Sequence, residues 1–153
     1  MKRALLLLAL AAAGCGEAVK DDHFANDVRT ERAEPITNQP AAVPVRVGEL
    51  GPSFNACNAA GTSRNLDPVA GDRLPVRAAP FDTAAETGAV PAGSRFFICT
   101  RSHDQRWLGI VYEETGALSP GCGVSRPVTA RRAYEGPCRS GGVASAVVKQ
   151  IAG

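Results

Sequence analysis

Four cysteines, Cys57, Cys99, Cys122 and Cys138, are spread through a chain of 153 residues that opens with an export signal. Met1-Lys2-Arg3 is a positive n-region, Ala4 to Ala13 is an uninterrupted apolar run, and Gly14 leads into a fifth cysteine, Cys15. A positive start, a short apolar run and a small-residue cleavage site describe a secretory signal; a membrane span needs about 20 apolar residues. Export places the other four thiols in an oxidising space, where an even number reads as two disulfides. Zinc binding would call for close Cys-x-x-Cys pairs, and the sequence has none. A catalytic thiol would need a histidine partner, and only His23 in the probable linker and His103 in a polar turn exist. Three pairings are open to four cysteines. The expected one joins Cys122 to Cys138 as a local clamp and Cys57 to Cys99 as the long bridge. Closing loops of these sizes stabilises a fold by roughly 3 and 4 kcal/mol in the chain-entropy treatment.

Composition narrows the function classes. The chain carries 17 basic and 15 acidic residues, and removing the signal with Lys2 and Arg3 leaves 15 against 15. A nucleic-acid binder shows a basic excess, so no nucleic-acid partner is expected. An apolar fraction of 44% is ordinary for a globular domain, while aromatics at 5% are few enough that each is placed for packing or contact. Residues 15–42 read as a linker. Glu17, Asp21, Asp22, Asp27, Glu31 and Glu34 face only Lys20, Arg29 and Arg32, prolines punctuate the stretch, and such composition favours disorder. The competing reading there is a short amphipathic helix over residues 24–32. The domain proper is expected over 43–153.

From Val43 the pattern turns to short apolar runs separated by Gly, Pro, Asn and Asp. Residues 43–49 alternate at period two and predict a strand. Residues 55–67 predict a loop carrying Cys57. Further strands are expected at 74–77 and 88–93, and a hairpin joins 95–100 to 106–112 across the polar turn 101–105. A long loop is expected from 113 to 137, and a last strand over 142–148. Sustained helical periodicity is missing, so the fold class is all-β, a small barrel or sandwich.

Two resemblances add to this. Leu10-Ala11-Ala12-Ala13-Gly14-Cys15 resembles a bacterial lipobox, with Ala12 where Leu is usual. The resemblance implies that Cys15 is lipidated and becomes the first mature residue, with several acyl chains giving a firm membrane anchor. Gly16 in place of aspartate implies, by similarity to enteric sorting, a periplasm-facing lipoprotein of the outer membrane rather than the inner. Leu74-Pro75-Val76-Arg77-Ala78-Ala79-Pro80 resembles the Leu-x-Val-Arg-x-x-Pro opening of bacterial SH3-like (SH3b) domains. Val90-Pro91-Ala92-Gly93, the 96–99 and 106–111 strands with Trp107, and Cys138 to Ala144 resemble later elements of that family over about 74–151. The whole looks similar to a cysteine-bearing alphaproteobacterial group with an N-terminal strand extension. Two departures stand out: Gly142 replaces the usual tryptophan, and residues 114–137 form an insertion far longer than an SH3 loop. The resemblance implies an SH3-like barrel with an N-terminal extension and a long disulfide-clamped loop.

In that family, aromatic side chains line a groove for peptide or peptidoglycan. The implied contacts here are Trp107, Tyr112, Phe97 and Tyr134, with Arg131 and Arg132 on the insertion as a replacement surface. The competing reading makes Trp107 packing and the arginines a solvated loop face. No catalytic residues, metal or cofactor are expected. The sequence lacks a Gly-x-Ser-x-Gly elbow, a His-Glu-x-x-His helix and a phosphate-binding Gly-x-x-x-x-Gly-Lys loop. Glu113 and Glu114 are adjacent at a strand end and point to opposite faces, which does not suit paired acid–base work. The expectation is an envelope lipoprotein that binds peptidoglycan or a protein partner. Its alternative is a non-catalytic accessory subunit of an envelope complex.

Overall fold

A computed structural model of the protein describes residues 41–64 and 72–151. The expectations placed on the signal, on Cys15 and on most of the linker lie outside the described residues. The fold is all-β. Its strands are β1 (Arg46–Val47), β2 (Ala59–Ser63), β3 (Arg73–Arg77), β4 (Glu86–Pro91), β5 (Arg95–Arg101), β6 (Trp107–Tyr112), β7 (Arg132–Ala133), β8 (Arg139–Ala144) and β9 (Val148–Ile151). Two single 3-10 turns, Pro120–Cys122 and Ser145–Val147, complete the regular structure of the described residues.

Seven strands form one antiparallel sheet in the order β4-β3-β8-β6-β5-β2-β9, and β1 pairs with β7 in a separate ribbon. The expected barrel is not closed. The ladder ends at β4 on one side and β9 on the other. A side chain reaches across this gap from the strand beside β9: the buried Ser63 hydroxyl at the end of β2 donates to the Pro91 carbonyl and accepts from the Gly93 N–H at 3.0 Å. Pro91, at the end of β4, has no N–H to give to a ladder, which suits an edge position.

The central hairpin β5–β6 is buried on both faces, and this organises the molecule. Phe96, Ile98, Leu108, Ile110 and Tyr112 face a main core with Leu74, Val76, Val90, Val143 and Val148. Cys99 and Val111 face a second core with Val45, Val47, Ala56, Cys57, Cys122 and Val124, against which Phe97, Val128, Tyr134 and Cys138 pack. A strand covered on both faces reads as a continuous apolar run, which is the pattern of Trp-Leu-Gly-Ile-Val-Tyr in β6. The second core has only the two-residue ribbon β1–β7 as a sheet of its own. It is built from residues 45–57 and 122–138 laid over the back of the hairpin and stitched there by the Cys57–Cys99 and Cys122–Cys138 disulfides. Both bridges are the expected ones.

Four sequence expectations are corrected here. The predicted loop 55–67 holds β2, a strand bonded on both sides, to β5 and to β9. The loop predicted over 113–137 is not a solvated excursion: Cys122 and Val124 are buried, and β7 pairs with β1. The last predicted strand divides into β8 and β9, separated by the Ser145–Val147 turn. The strand expected over 43–49 is regular only at Arg46–Val47.

Candidate binding cleft

The loop closing the β5–β6 hairpin is held by a small polar network. The Asp104 carboxylate accepts from the Ser102 hydroxyl and from the Arg106 N–H. These hydrogen bonds, the Ser102 one foremost, hold its carboxyl below the ordinary carboxylate range. Gln105 adopts a left-handed φ of 60°, a conformation that costs a non-glycine residue about 1–2 kcal/mol. Ser102 also receives the Trp107 N–H at 2.9 Å, and Ser145 caps the turn from β8's side through the Gln105 carbonyl. Arg101, Ser102 and Trp107 are thereby fixed at one end of the hairpin.

That end opens into a cleft of about 620 Å³. Its floor is the outward face of β5, β6 and β8, at Thr100, Trp107, Gly109 and Gly142. The N-terminal segment from Val43 to Arg46 lines it with Glu49 and Leu50, and so do Ala79 and Pro80, beside which the Val43 N–H bonds the Ala78 carbonyl at 2.8 Å. Two glycines make this packing possible. A Cβ on Gly109 would press on Val45 and on the Thr100 hydroxyl, so glycine there lets the N-terminal segment lie on the sheet. A Cβ on Gly142 would stand 3.3 Å from the Ala79 carbonyl oxygen. A tryptophan ring at 142 would need the Ala79–Pro80 backbone to move.

The cleft is apolar with a cationic bias. Val43 and Leu50 are about half exposed at 49% and 52%. Glu49 is shared between two arginines, Arg46 at 3.2 Å and Arg131 at 3.4 Å. Arg101 lines the cleft, is exposed, and makes no ion pair among the described residues. The site therefore suits an extended apolar ligand bearing an anionic group. Among the described residues, no three of His, Cys, Asp and Glu converge on a point that could hold a metal ion.

The six contacts expected from sequence are not gathered in one groove. Trp107 lines the cleft but is only 7% exposed, so it serves the packing of the floor as well. Tyr112 is 2% exposed and belongs to the main core, where its hydroxyl sits against Gly88. Phe97 and Tyr134 pack on the second core. Tyr134 and Arg132 line a smaller pocket of about 150 Å³ beside Cys122. Arg131 is exposed and reaches the cleft through Glu49. Sequence reasoning missed Arg46, Arg101, Val43 and Leu50. A register shift between Ile98 and Thr100 sets which face Arg101 takes, and nothing in the sequence marks it.

Tyr134 has a clear structural task. Its hydroxyl donates to the Cys122 carbonyl at 3.0 Å and accepts the Cys138 N–H at 3.1 Å, spanning the two halves of the local disulfide. Burial pushes the hydroxyls of both Tyr134 and Tyr112 above their ordinary value of 10.0. A phenol that ionises less readily in the folded than in the unfolded chain adds stability that is complete below the unfolded value and lost as the pH rises through the folded one. Melting temperature is therefore expected to be insensitive to these tyrosines up to about pH 10 and to fall above it. A thermal-melt series from neutral to strongly alkaline pH checks this; a flat profile through the tyrosine range would contradict it. A comparison of the chain with protein-family models, with curated proteins and with solved structures finds no match.

Proposed function

We propose that the protein is an exported lipoprotein, anchored through Cys15, that presents an SH3-like binding module to the cell envelope. Its ligand is peptidoglycan stem peptide or an extended segment of a protein partner, taken in the cleft between the N-terminal segment and the β5–β6 hairpin. The observation that carries this reading is the cleft itself: apolar walls, an indole in its floor, and Arg101 with no acidic partner among the described residues. Stem peptides and extended protein segments both offer short apolar side chains and carboxylates, which match those walls and that guanidinium. The module acts by binding, without catalysis. The all-β body and the two disulfides support an SH3-like extracytoplasmic domain, and the apolar run ending at Cys15 supports the anchor.

The test uses the full protein and its Arg101→Glu variant. Arg101 is exposed, so its charge can be reversed without disturbing the core, whereas truncating Trp107 would confound binding with stability. Co-sedimentation with purified sacculi is expected to enrich the wild type. Reversal at Arg101 is expected to weaken it about tenfold or more, the worth of one charge-assisted hydrogen bond. Equal recovery of both forms, or none of either, would count against the cleft as a wall-binding site. A second reading, an accessory subunit held by one fixed partner, draws on the exposed apolar residues Val43 and Phe81, each about half exposed. In-cell crosslinking that yields one dominant protein adduct and no wall association favours that second reading.

A further inference from the structure

The loop over residues 48–56 buries Ala56 in the second core but displays Leu50 and Phe54 outward. Glycines at Gly48 and Gly51, both at positive φ (79° and 89°), fold it through two successive turns closed by the Gly51 N–H to the Gly48 carbonyl and the Phe54 N–H to the Gly51 carbonyl. Its base is shut by the Gly48 N–H to the Ala56 carbonyl at 2.8 Å. Leu50 and Phe54 stand on this frame at 52% and 53% exposure, beside Pro52. Neither reaches the second core that the rest of the segment covers.

Arginines flank the tip. The Ala56 N–H bonds the Arg126 carbonyl and Asn55 bridges antiparallel to Pro127, which sets exposed Arg126 across from Ala56, two residues along the chain from Phe54. Arg131 and Arg46 converge on Glu49, next to Leu50. Among the described residues Glu49 is the one carboxylate paired with these cations, and residues 50–57 and 124–134 contain no acid. Three guanidiniums against one carboxylate leave the patch with a double positive charge. A fixed loop with protruding Leu and Phe, ringed by arginine, combines hydrophobic insertion with attraction to an anionic surface.

We propose that Leu50 and Phe54 enter the headgroup boundary of an anionic lipid bilayer, with Arg126 and Arg131 holding the headgroups. This would seat the domain on the membrane and leave the cleft, whose rim includes Leu50, opening beside the lipid surface. The inference does not depend on what the cleft binds.

Indole fluorescence of the full chain carrying Phe54→Trp tests it, with the emission of the unsubstituted protein, which contains Trp107, subtracted. The protein is reconstituted in phosphatidylglycerol vesicles and, separately, in phosphatidylcholine vesicles, each doped with lipids brominated on their acyl chains. Phe81→Trp, an exposed aromatic outside the patch, is the reference. The Phe54→Trp emission is expected to shift to the blue and to be quenched by the brominated lipid in phosphatidylglycerol. That quenching is expected to be lost in phosphatidylcholine and in the Arg126→Gln, Arg131→Gln double variant. Quenching no greater than that of Phe81→Trp, or iodide access unchanged by vesicles, would overturn the proposal and leave the patch to a protein partner. Quenching that persists in the double arginine variant would overturn it as well.

Discussion

Reduction of both disulfides is expected to unfold the domain at physiological temperature. Cys57–Cys99 closes a sequence separation of 42 and Cys122–Cys138 one of 16. In the chain-entropy treatment these constrain the unfolded chain by about 4 and about 3 kcal/mol. A domain of this size has roughly 5–15 kcal/mol in all, so losing both removes about half of it or more. The loss also falls on one place. All four sulfurs belong to the second core, whose two segments are bonded to each other by the two-residue ribbon β1–β7 and scattered backbone bonds, while apolar contact and the Cys57–Cys99 bridge hold them on the hairpin. Once released, that layer would uncover Val111 and Cys99 on the back of β5–β6, and the loss of covered apolar surface adds to the entropic effect. Far-ultraviolet circular dichroism with increasing reductant measures it. The unfolding midpoint in urea should drop steeply when the bridges open, and Cys57→Ala with Cys99→Ala should cost more than the paired change at Cys122 and Cys138. A reduced protein with an unaltered midpoint would remove the sulfurs from the account of stability.

Phe96→Ala is the second large effect, about 3–5 kcal/mol. The ring is fully buried in the main core, and it lies over β2 at a place where the chain has no side chain. A Cβ on Gly61 would come within 2.9 Å of Phe96 and 3.0 Å of both Ile98 and Val148. The ring, the isoleucine and the valine thus share the room that glycine leaves. Removing the ring opens a cavity that β2 could fill only by leaving its two ladders, to β5 and β9. Urea unfolding of the variant reads the cost directly. A loss under about 1 kcal/mol would mean that the site collapses freely, contrary to close packing around Gly61.

The same glycines explain what could and could not be read in the sequence. Strands β3 to β6 were legible because their apolar residues alternate or run together between turn-forming residues. Strand β2, Ala-Ala-Gly-Thr-Ser, was not: small residues give no hydrophobic signal, and they stand there because larger side chains from β5 and β9 cross over them. Strand β8 hides its first half the same way, since a Cβ on Gly141 would meet Val76 and lie 2.8 Å from the Arg77 carbonyl oxygen. The expected disulfides were legible from spacing and compartment. The second core they stitch together was not, because it forms between residues 45–57 and 122–138, far apart in the chain, and depends on β5–β6 being covered on its second face. The candidate site suffered most. Tyr112 and Phe97 were expected as contacts on the strength of the SH3-like resemblance, while scarcity alone allowed packing as well, and Tyr112 is interior. The residues that shape the cleft sit in the N-terminal segment and at the register shift before Arg101, where placement follows from tertiary contacts alone.

The central proposal is that the chain is exported and anchored at Cys15, and that two disulfides formed outside the cytoplasm brace its all-β body. Mass mapping of the native protein without reduction tests it most directly. The account predicts peptides joined as Cys57–Cys99 and Cys122–Cys138 and an N-terminal peptide beginning at an acylated Cys15. Free thiols at those four positions, or a native N-terminus without lipid, would contradict it.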